Sequence, residues 1–273
     1  MRWPNSRQPM SDRRPALPET PGLVPGEAAP WEPLAGGFVS AVFRSGNAVR
    51  RDRGPNAEFV RRLLGHFEQA GFDGAPRHLG TDVMGREILS FIDGQVPWQV
   101  AEKLTVRTDV SLTAVARLLR CCHDLTAGTD LARDSEVVCH NDLSPQNTVY
   151  RDHGSGLLPV AFIDWDLAAP GRRIHDVAHM CWQYPGLSSG VPDVAEAARQ
   201  IRLICDANGL ADRSQLIDTI LWWQDRCWRG IEAGAASGDA AMARLLAAGV
   251  PEAVRLERAW VAANRVTLAA ALT

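Results

Sequence analysis

Lysine is almost missing from this chain. Of its 29 basic residues only Lys103 is a lysine, and the others are arginine. An ammonium point charge is thus available at one position, and any other cationic role falls to a guanidinium fork. Long apolar runs are also missing: none reaches the roughly 18 residues of a membrane helix, so no membrane partner is expected. The first residues carry no apolar signal core. None of the six cysteines (Cys121, Cys122, Cys139, Cys181, Cys205 and Cys227) forms a C-x-x-C pair. Most sit in apolar surroundings, so buried free thiols in a reducing cytoplasm are the expectation. A large charge of one sign is missing too. The net charge of −3 gives no basic footprint for nucleic acid, which is not expected as a partner.

What is present is an ordinary globular composition. The 273 residues are 46% hydrophobic and 22% charged, enough for a sizeable core in one or two domains. Residues 1–30 are rich in Pro, Arg, Glu and Gly and have little to bury, so a disordered extension is expected, with Met10 as an alternative start. The sequence leaves the oligomeric state open.

The most informative stretch is Val137-Val138-Cys139-His140-Asn141-Asp142-Leu143-Ser144-Pro145-Gln146-Asn147. A short apolar strand enters a loop that Pro145 keeps from becoming a helix. Thr148-Val149-Tyr150 restarts a strand. After a Gly-rich six-residue turn, Leu158-Pro159-Val160-Ala161-Phe162-Ile163 runs into Asp164-Trp165-Asp166. Two short strands joined by such a turn form an antiparallel hairpin. The hairpin brings Asn147, before its first strand, beside Asp164, after its second. An amide oxygen and a carboxylate together suit Mg²⁺, which is held by one or two carboxylates plus substrate phosphates. Asp142 lies in the same loop, within reach of a hydroxyl substrate. These are the parts that phosphoryl transfer from a nucleotide requires. A solvated loop that happens to carry these residue types is the plain alternative.

His-x-Asp-Leu-x-Pro-x-Asn followed by an apolar strand and an Asp resembles the catalytic loop and metal motif of the protein-kinase-like superfamily. Asn141 after the His, and Ile163-Asp164-Trp165-Asp166, resemble its aminoglycoside phosphotransferase branch, which includes choline, homoserine and fructosamine kinases. The resemblance covers about residues 34–185. It implies an α+β, bilobal protein-kinase-like fold. A small N-terminal antiparallel β-sheet lobe with one helix and the hinge would span 31–94, and a larger, mainly helical lobe 95–273. It implies ATP, with GTP possible, and Mg²⁺ as cofactors, and a small-molecule hydroxyl substrate. Asp142 would be the catalytic base, and Asn147 and Asp164 the metal ligands, with Asp166 supporting them. Gly36 and Gly37 would cover the phosphates, although a plain Gly-containing turn accounts for the same residues. Ser90 and Ile92, in the segment Ser90-Phe91-Ile92-Asp93-Gly94, would present backbone groups to the base; an edge strand with a Gly end is compatible with this.

The returning strand Ala48-Val49-Arg50-Arg51 departs from the family in having no lysine. Side chains alternate along it, so Arg50 shares a face with Ala48 and Arg51 with Val49. The Ala-x-Lys spacing makes Arg50 the first candidate for the phosphates and Arg51 the reserve. Solvent exposure of both is the alternative. Glu58, in a helix expected over 57–70, would then partner Arg50, or merely complement the helix dipole. His140 is expected to orient the loop by bonding backbone near Asp164, not to act as a base. His123 reads as structural. Asp176 reads as a helix N-cap, with support of the loop implied by the resemblance.

Further helices are expected over 108–124, with a stripe of Val110, Leu112, Val115, Leu118, Leu119 and Cys122, and over 192–207, 213–233, 238–247 and 251–271. Trp223 falls in a core stripe with Leu216, Ile220, Cys227 and Ile231, whereas Trp222 falls outside it. His175 and His179, at i and i+4, lack the flanking pattern of a zinc motif. From 192 to 273 there are ten acidic residues and nine arginines, so the carboxylate surplus suited to a polycationic aminoglycoside is absent. A hydroxyl metabolite is preferred as acceptor. Two rivals stand beside this enzyme reading: a nucleotide-binding pseudokinase, favoured by the absent lysine, and a metal-dependent hydrolase, which lacks the ligand count.

Overall fold

The computed structural model describes residues 30–34, 42–154, 156–188 and 193–272. The expected N-terminal extension, Gly36-Gly37 and the start of the strand after them lie outside the described residues.

Among the described residues the first lobe is built on an antiparallel sheet of five strands: β1 (Glu32–Pro33), β2 (Phe43–Ser45), β3 (Ala48–Arg51), β4 (His78–Thr81) and β5 (Glu87–Ser90). Their spatial order is β1-β2-β3-β5-β4. Gly46 at φ 56° makes the tight turn between β2 and β3, a conformation that hairpins of two-residue loop require. One helix, α1 (Ala57–Gln69), crosses from β3 to β4. Its stripe Val60, Leu63, Leu64 and Phe67 is buried, each side chain stabilising the fold by about 1.5–3 kcal/mol relative to exposure. Glu58 does not reach Arg50; it pairs with Arg61 one turn along the same helix.

The chain leaves the sheet at Ser90 and crosses to the second lobe in a short strap. Phe91 N–H bonds the Asn47 carbonyl at 2.8 Å, and Gln95 exchanges two 2.8 Å bonds with Tyr150. Gly94 between them sits at φ 147°, where a Cβ would lie 2.5 Å from Val149 and 2.6 Å from the Tyr150 carbonyl.

The second lobe is mainly helical: α2 (Val100–Thr105), α3 (Asp109–Thr126), α4 (Arg173–Gln183), α5 (Val194–Asn208), α6 (Leu216–Ala236), α7 (Ala240–Ala247), α8 (Val250–Ala263) and α9 (Arg265–Ala270). Two pairs of strands lie between α3 and α4. β6 (Val137–Cys139) pairs with β9 (Ala169–Gly171), and β7 (Thr148–Asp152) with β8 (Leu157–Phe162), both antiparallel. The expected hairpin is therefore present, with a tighter turn than six residues because β7 and β8 each run further. The α3 stripe is buried at Leu112, Val115, Leu119 and Cys122, but Val110 is exposed. The final expected helix is two, α8 and α9. Asn264 stands between them and turns its side-chain amide back to the Trp260 carbonyl at 2.8 Å, a local bond that competes with helix continuation. Apolar residues of α1, α3, α4, α5, α6 and α8 form one contiguous core across both lobes. Among the described residues no helix is long and apolar enough to cross a membrane.

Candidate active site

The loop after β6 is held from beneath by one carboxylate. Asp176 is fully buried in the first turn of α4. Its Oδ2 accepts the His140 N–H at 2.8 Å and its Oδ1 the Asn141 N–H at 2.8 Å. His123 Nε2, from the last turn of α3, donates to Oδ2 at 2.9 Å. Burial alone would raise the Asp176 pKa, but the bonds and charges, His123 first, outweigh it and hold the carboxyl below its ordinary value. Asp176 is not the helix N-cap, a position Arg172 takes without a side-chain bond.

His140 behaves as a loop-orienting residue. Its Nδ1 accepts the Asp142 N–H at 3.3 Å, so Nε2 carries the hydrogen donated to the Ile163 carbonyl at 3.0 Å. Burial pushes its pKa down, keeping the ring neutral. Asn141 sits at φ 65°, a left-handed conformation that Asn tolerates better than most residues, and its amide bonds the Leu167 carbonyl at 2.9 Å.

Pro145 opens a single 3₁₀ turn, Pro145–Asn147. The turn aims the Asn147 amide back at Asp142, where Nδ2 donates to both the Asp142 carbonyl and its Oδ2 at 2.8 Å. With Nδ2 so engaged, Oδ1 of Asn147 is the atom left to face a cation. Burial raises the Asp142 carboxyl to about 7. The nearby charge of Asp164 adds to the rise and the Asn147 bond opposes it.

Asp164 follows β8. The Ile163 N–H bonds the Asn147 carbonyl at 2.9 Å, which ties the two ends of the hairpin together. Asp164 itself is left-handed, φ 62° and ψ 62°. The next residue, Trp165, anchors the turn: its ring lies 4.5 Å from that of His140 and 5.2 Å from that of Phe67 in α1.

The first lobe reaches this turn through Arg51, not Arg50. Arg51 Nη1 lies 3.1 Å from Asp164 Oδ1 and Nη2 2.5 Å from Asp166 Oδ1, while Nε lies 3.4 Å from Glu87 Oε2. Burial opposes the Arg51 charge, but Asp166, Asp164 and Glu87 outweigh it and raise its pKa. Asp166 is pushed up by burial, and Arg51 opposes the shift. Arg50 points to the other face of the sheet, its guanidinium 4.4 Å from the Trp31 ring centroid and 3.7 Å from Asp82. Glu87, directly across the sheet from Arg51, has no counterpart in the sequence reading. Asn56 also joins the lobes, through a 2.7 Å bond to the Ala168 carbonyl.

Ser90 and Ile92 stand, half-buried, where the strap leaves β5. His175 stacks on Trp222 with ring centroids 5.7 Å apart, whereas His179 bonds the Leu143 carbonyl at 2.8 Å. His123, Cys139 and Asp176 bring ligand-type atoms within 4.8 Å of one another. Both oxygens of Asp176 are already engaged, and Cys139 Sγ faces the Arg172 carbonyl at 3.2 Å. A concavity of about 620 Å³ runs along α6 between Trp222, Asp225, Arg226, Arg229 and Gly230. No residue of the loop lines it.

Oxygen donors at Asn147 and Asp164, the Asp142 carboxylate beside them and the Arg51 guanidinium on Asp164 form a set suited to a hard cation and phosphates. Known proteins resemble this chain over much of its length. Residues 129–216 match the family described as "Phosphotransferase enzyme family". The trifolitoxin immunity protein of Rhizobium leguminosarum bv. trifolii is 33% identical over 261 residues, 85% of this chain and 90% of that protein. Among solved structures, an aminoglycoside phosphotransferase of Streptomyces rimosus in complex with ADP and streptomycin superposes at a TM-score of 0.54. It is 18% identical, and the match covers 72% of this chain and 91% of that one. A Plasmodium vivax ethanolamine kinase reaches a TM-score of 0.58 at 15% identity, covering 83% of each chain. The loop, the hairpin and the bilobal α+β fold, which is protein-kinase-like, thus have the same source: the chain belongs to the phosphotransferase enzyme family.

Proposed function

We propose that this protein transfers the γ-phosphoryl group of Mg·ATP, or of Mg·GTP, to a hydroxyl of a small molecule. The observation that carries the reading is Asp142. Its carboxylate is pushed up to about 7 and held by Asn147 beside the hairpin end that bears Asp164. A general base is most effective with a pKa near the working pH. Asp142 orients the acceptor hydroxyl and receives its proton as the oxygen–phosphorus bond forms. The bond from the γ-phosphorus to the bridging oxygen breaks, and its electron pair leaves with the nucleoside diphosphate. Asn147 Oδ1 and the Asp164 carboxylate are the donors for Mg²⁺, which when bound supplies positive charge against the phosphates. Arg51 takes the place of the usual lysine. Its planar fork turns from Asp164 and Asp166 to the phosphate oxygens. Ser90 and Ile92 present backbone groups to the base.

The acceptor is a small hydroxyl compound. Similarity to an immunity protein favours one belonging to a toxic product that loses its action when phosphorylated. Its free cysteines fit the reducing cytoplasm as its place of action. A second reading, nucleotide binding without turnover, draws on the Arg51–Asp164 ion pair, which occupies an oxygen that the metal needs.

Asp142→Ala decides between the two. Wild type and variant are incubated with labelled Mg·ATP and a panel of aminoglycosides, amino alcohols and sugars. Transfer by wild type and loss of at least about 100-fold in the variant, with nucleotide affinity kept, are expected. Equal turnover by both proteins would remove Asp142 from the reaction.

A further inference from the structure

The chain's single lysine stands beside an arginine that has no counter-charge. Lys103 lies in the last turn of α2, and Arg107 follows just ahead of the α3 cap at Thr108. Both side chains are half-buried. Arg107 Nε is buried without a hydrogen-bond partner. Among the described residues every other half-buried arginine is paired with a carboxylate or bonded to a backbone carbonyl. Burial pushes the Arg107 pKa down, and no neighbouring charge opposes it. Burial and Arg107 push the Lys103 pKa down, and Glu257 opposes them.

The turn after α4 connects this pair with the loop that carries Asp142. Gly186 lies against Arg107, so that a Cβ there would collide with the guanidinium. Two residues earlier, the Tyr184 hydroxyl bonds the Ser144 carbonyl at 3.1 Å and Thr148 Oγ1 at 2.6 Å. Ser144 is two residues past Asp142. Glu257, the carboxylate that acts on Lys103, is held by the same helix: Trp182 Nε1 donates to its Oε2 at 2.8 Å. Cys227 of α6 closes the circuit. Burial pushes its thiol up to about 11, and the charges of Asp142 and Glu257 add to the rise. Asp142, Cys227, Glu257, Lys103 and Arg107 are therefore neighbours in turn, and all belong to the second lobe. Beyond Asp142 this surface carries two cations and one carboxylate, an excess of one positive charge.

We propose that the acceptor is a hydroxy acid, whose hydroxyl meets Asp142 while its carboxylate is held by Arg107 and Lys103. This rests on the phosphotransferase reading and narrows its acceptor. A guanidinium fork matches a carboxylate in geometry, and a half-buried one gains more from the pairing than an exposed one. A monoanion supplies the counter-charge that the protein withholds from Arg107. A neutral acceptor leaves that guanidinium unpaired, and an amine brings a third positive charge to the pair.

The test uses matched sets in which only the charged end changes: gluconate, gluconamide and glucamine, and γ-hydroxybutyrate, its amide and the corresponding amino alcohol. Transfer from labelled Mg·ATP is measured for each. Binding is read separately at Lys103. Reductive methylation with ¹³C-formaldehyde gives a single lysine signal in NMR spectra and keeps the positive charge. The acids should move that signal and exceed their amides and amines by about 10-fold or more in kcat/KM. In Arg107→Gln and in Lys103→Gln the preference should shrink to within about 3-fold, chiefly through KM. An amide or amine used as well as its acid by wild type would overturn the proposal, whether or not the variants fold. So would a Lys103 signal that no acid moves, or an undiminished preference in Arg107→Gln. Transfer to amides and amines alone would leave the phosphotransferase reading standing without the proposal. Acids that move the signal while no compound is phosphorylated would contradict the phosphotransferase reading and leave only a carboxylate site.

Discussion

Asp142 is ionised in the unfolded chain from about pH 4, whereas in the folded protein its pKa is about 7. Between those values the folded state holds the extra proton. The stabilisation from that proton is complete below about pH 4 and is lost as the pH rises through 7. Asp142→Asn keeps the bond from Asn147 and removes the titration. The variant should be more stable than wild type by on the order of 2–4 kcal/mol at pH 8, and the gap should close toward pH 4. Urea denaturation across that range, with metal chelated, checks it; a constant gap would show that Asp142 does not titrate where expected. The neighbouring arginines make a second test. Arg51→Gln should weaken Mg·ATP binding about 10-fold or more, by loss of a charge-assisted contact. Arg50→Gln should leave it within about 2-fold, because Arg50 lies against Trp31 and Asp82. Calorimetry on the two variants separates them. Alternation along β3 showed that Arg50 and Arg51 face opposite ways. Which face met the cleft was not legible there, because it depends on Glu87 across the sheet and on Asp164, 113 residues further along the chain.

At the scale of elements, the catalytic-type loop is a strand end, a 3₁₀ turn and a hairpin, pinned by Asp176. Three donors converge on this buried carboxylate. Asp176→Ala would leave two loop N–H groups and His123 without their acceptor, at a cost of about 3–5 kcal/mol. Melting temperature should fall and turnover should drop, while Asp176→Asn, with one oxygen kept, should fall between wild type and the Ala variant. Unchanged melting in Asp176→Ala would contradict the account. The hairpin was readable because its strands are short, apolar and turn-bounded. So were α1 and α3, from their buried stripes. The six-residue α2 was not: it buries no residue and so leaves no apolar periodicity. It is capped by Gln99 and Glu102, whereas Asn56, at the N-cap position of α1, makes no capping bond and spends its side chain on the Ala168 carbonyl of the other lobe.

At the scale of the molecule, the two lobes meet at the strap, at Phe67 against Trp165, and where Arg51 spans Asp164 and Asp166. The first two fix the spacing of the cleft. The third joins a guanidinium on the sheet to a carboxylate on the hairpin, and it is the contact that a nucleotide with its metal must rearrange. The bilobal plan was readable through resemblance of the loop and hairpin motifs. The pairing across the cleft was not, since it joins distant residues that no local pattern couples. The most direct measurement is titration of Mg·ATP, then Mg·GTP, into wild type and Asp164→Ala. The account predicts magnesium-dependent binding in wild type that falls at least about 10-fold in the variant. Failure of wild type to bind either nucleotide, or binding that Asp164→Ala leaves unchanged, would contradict it.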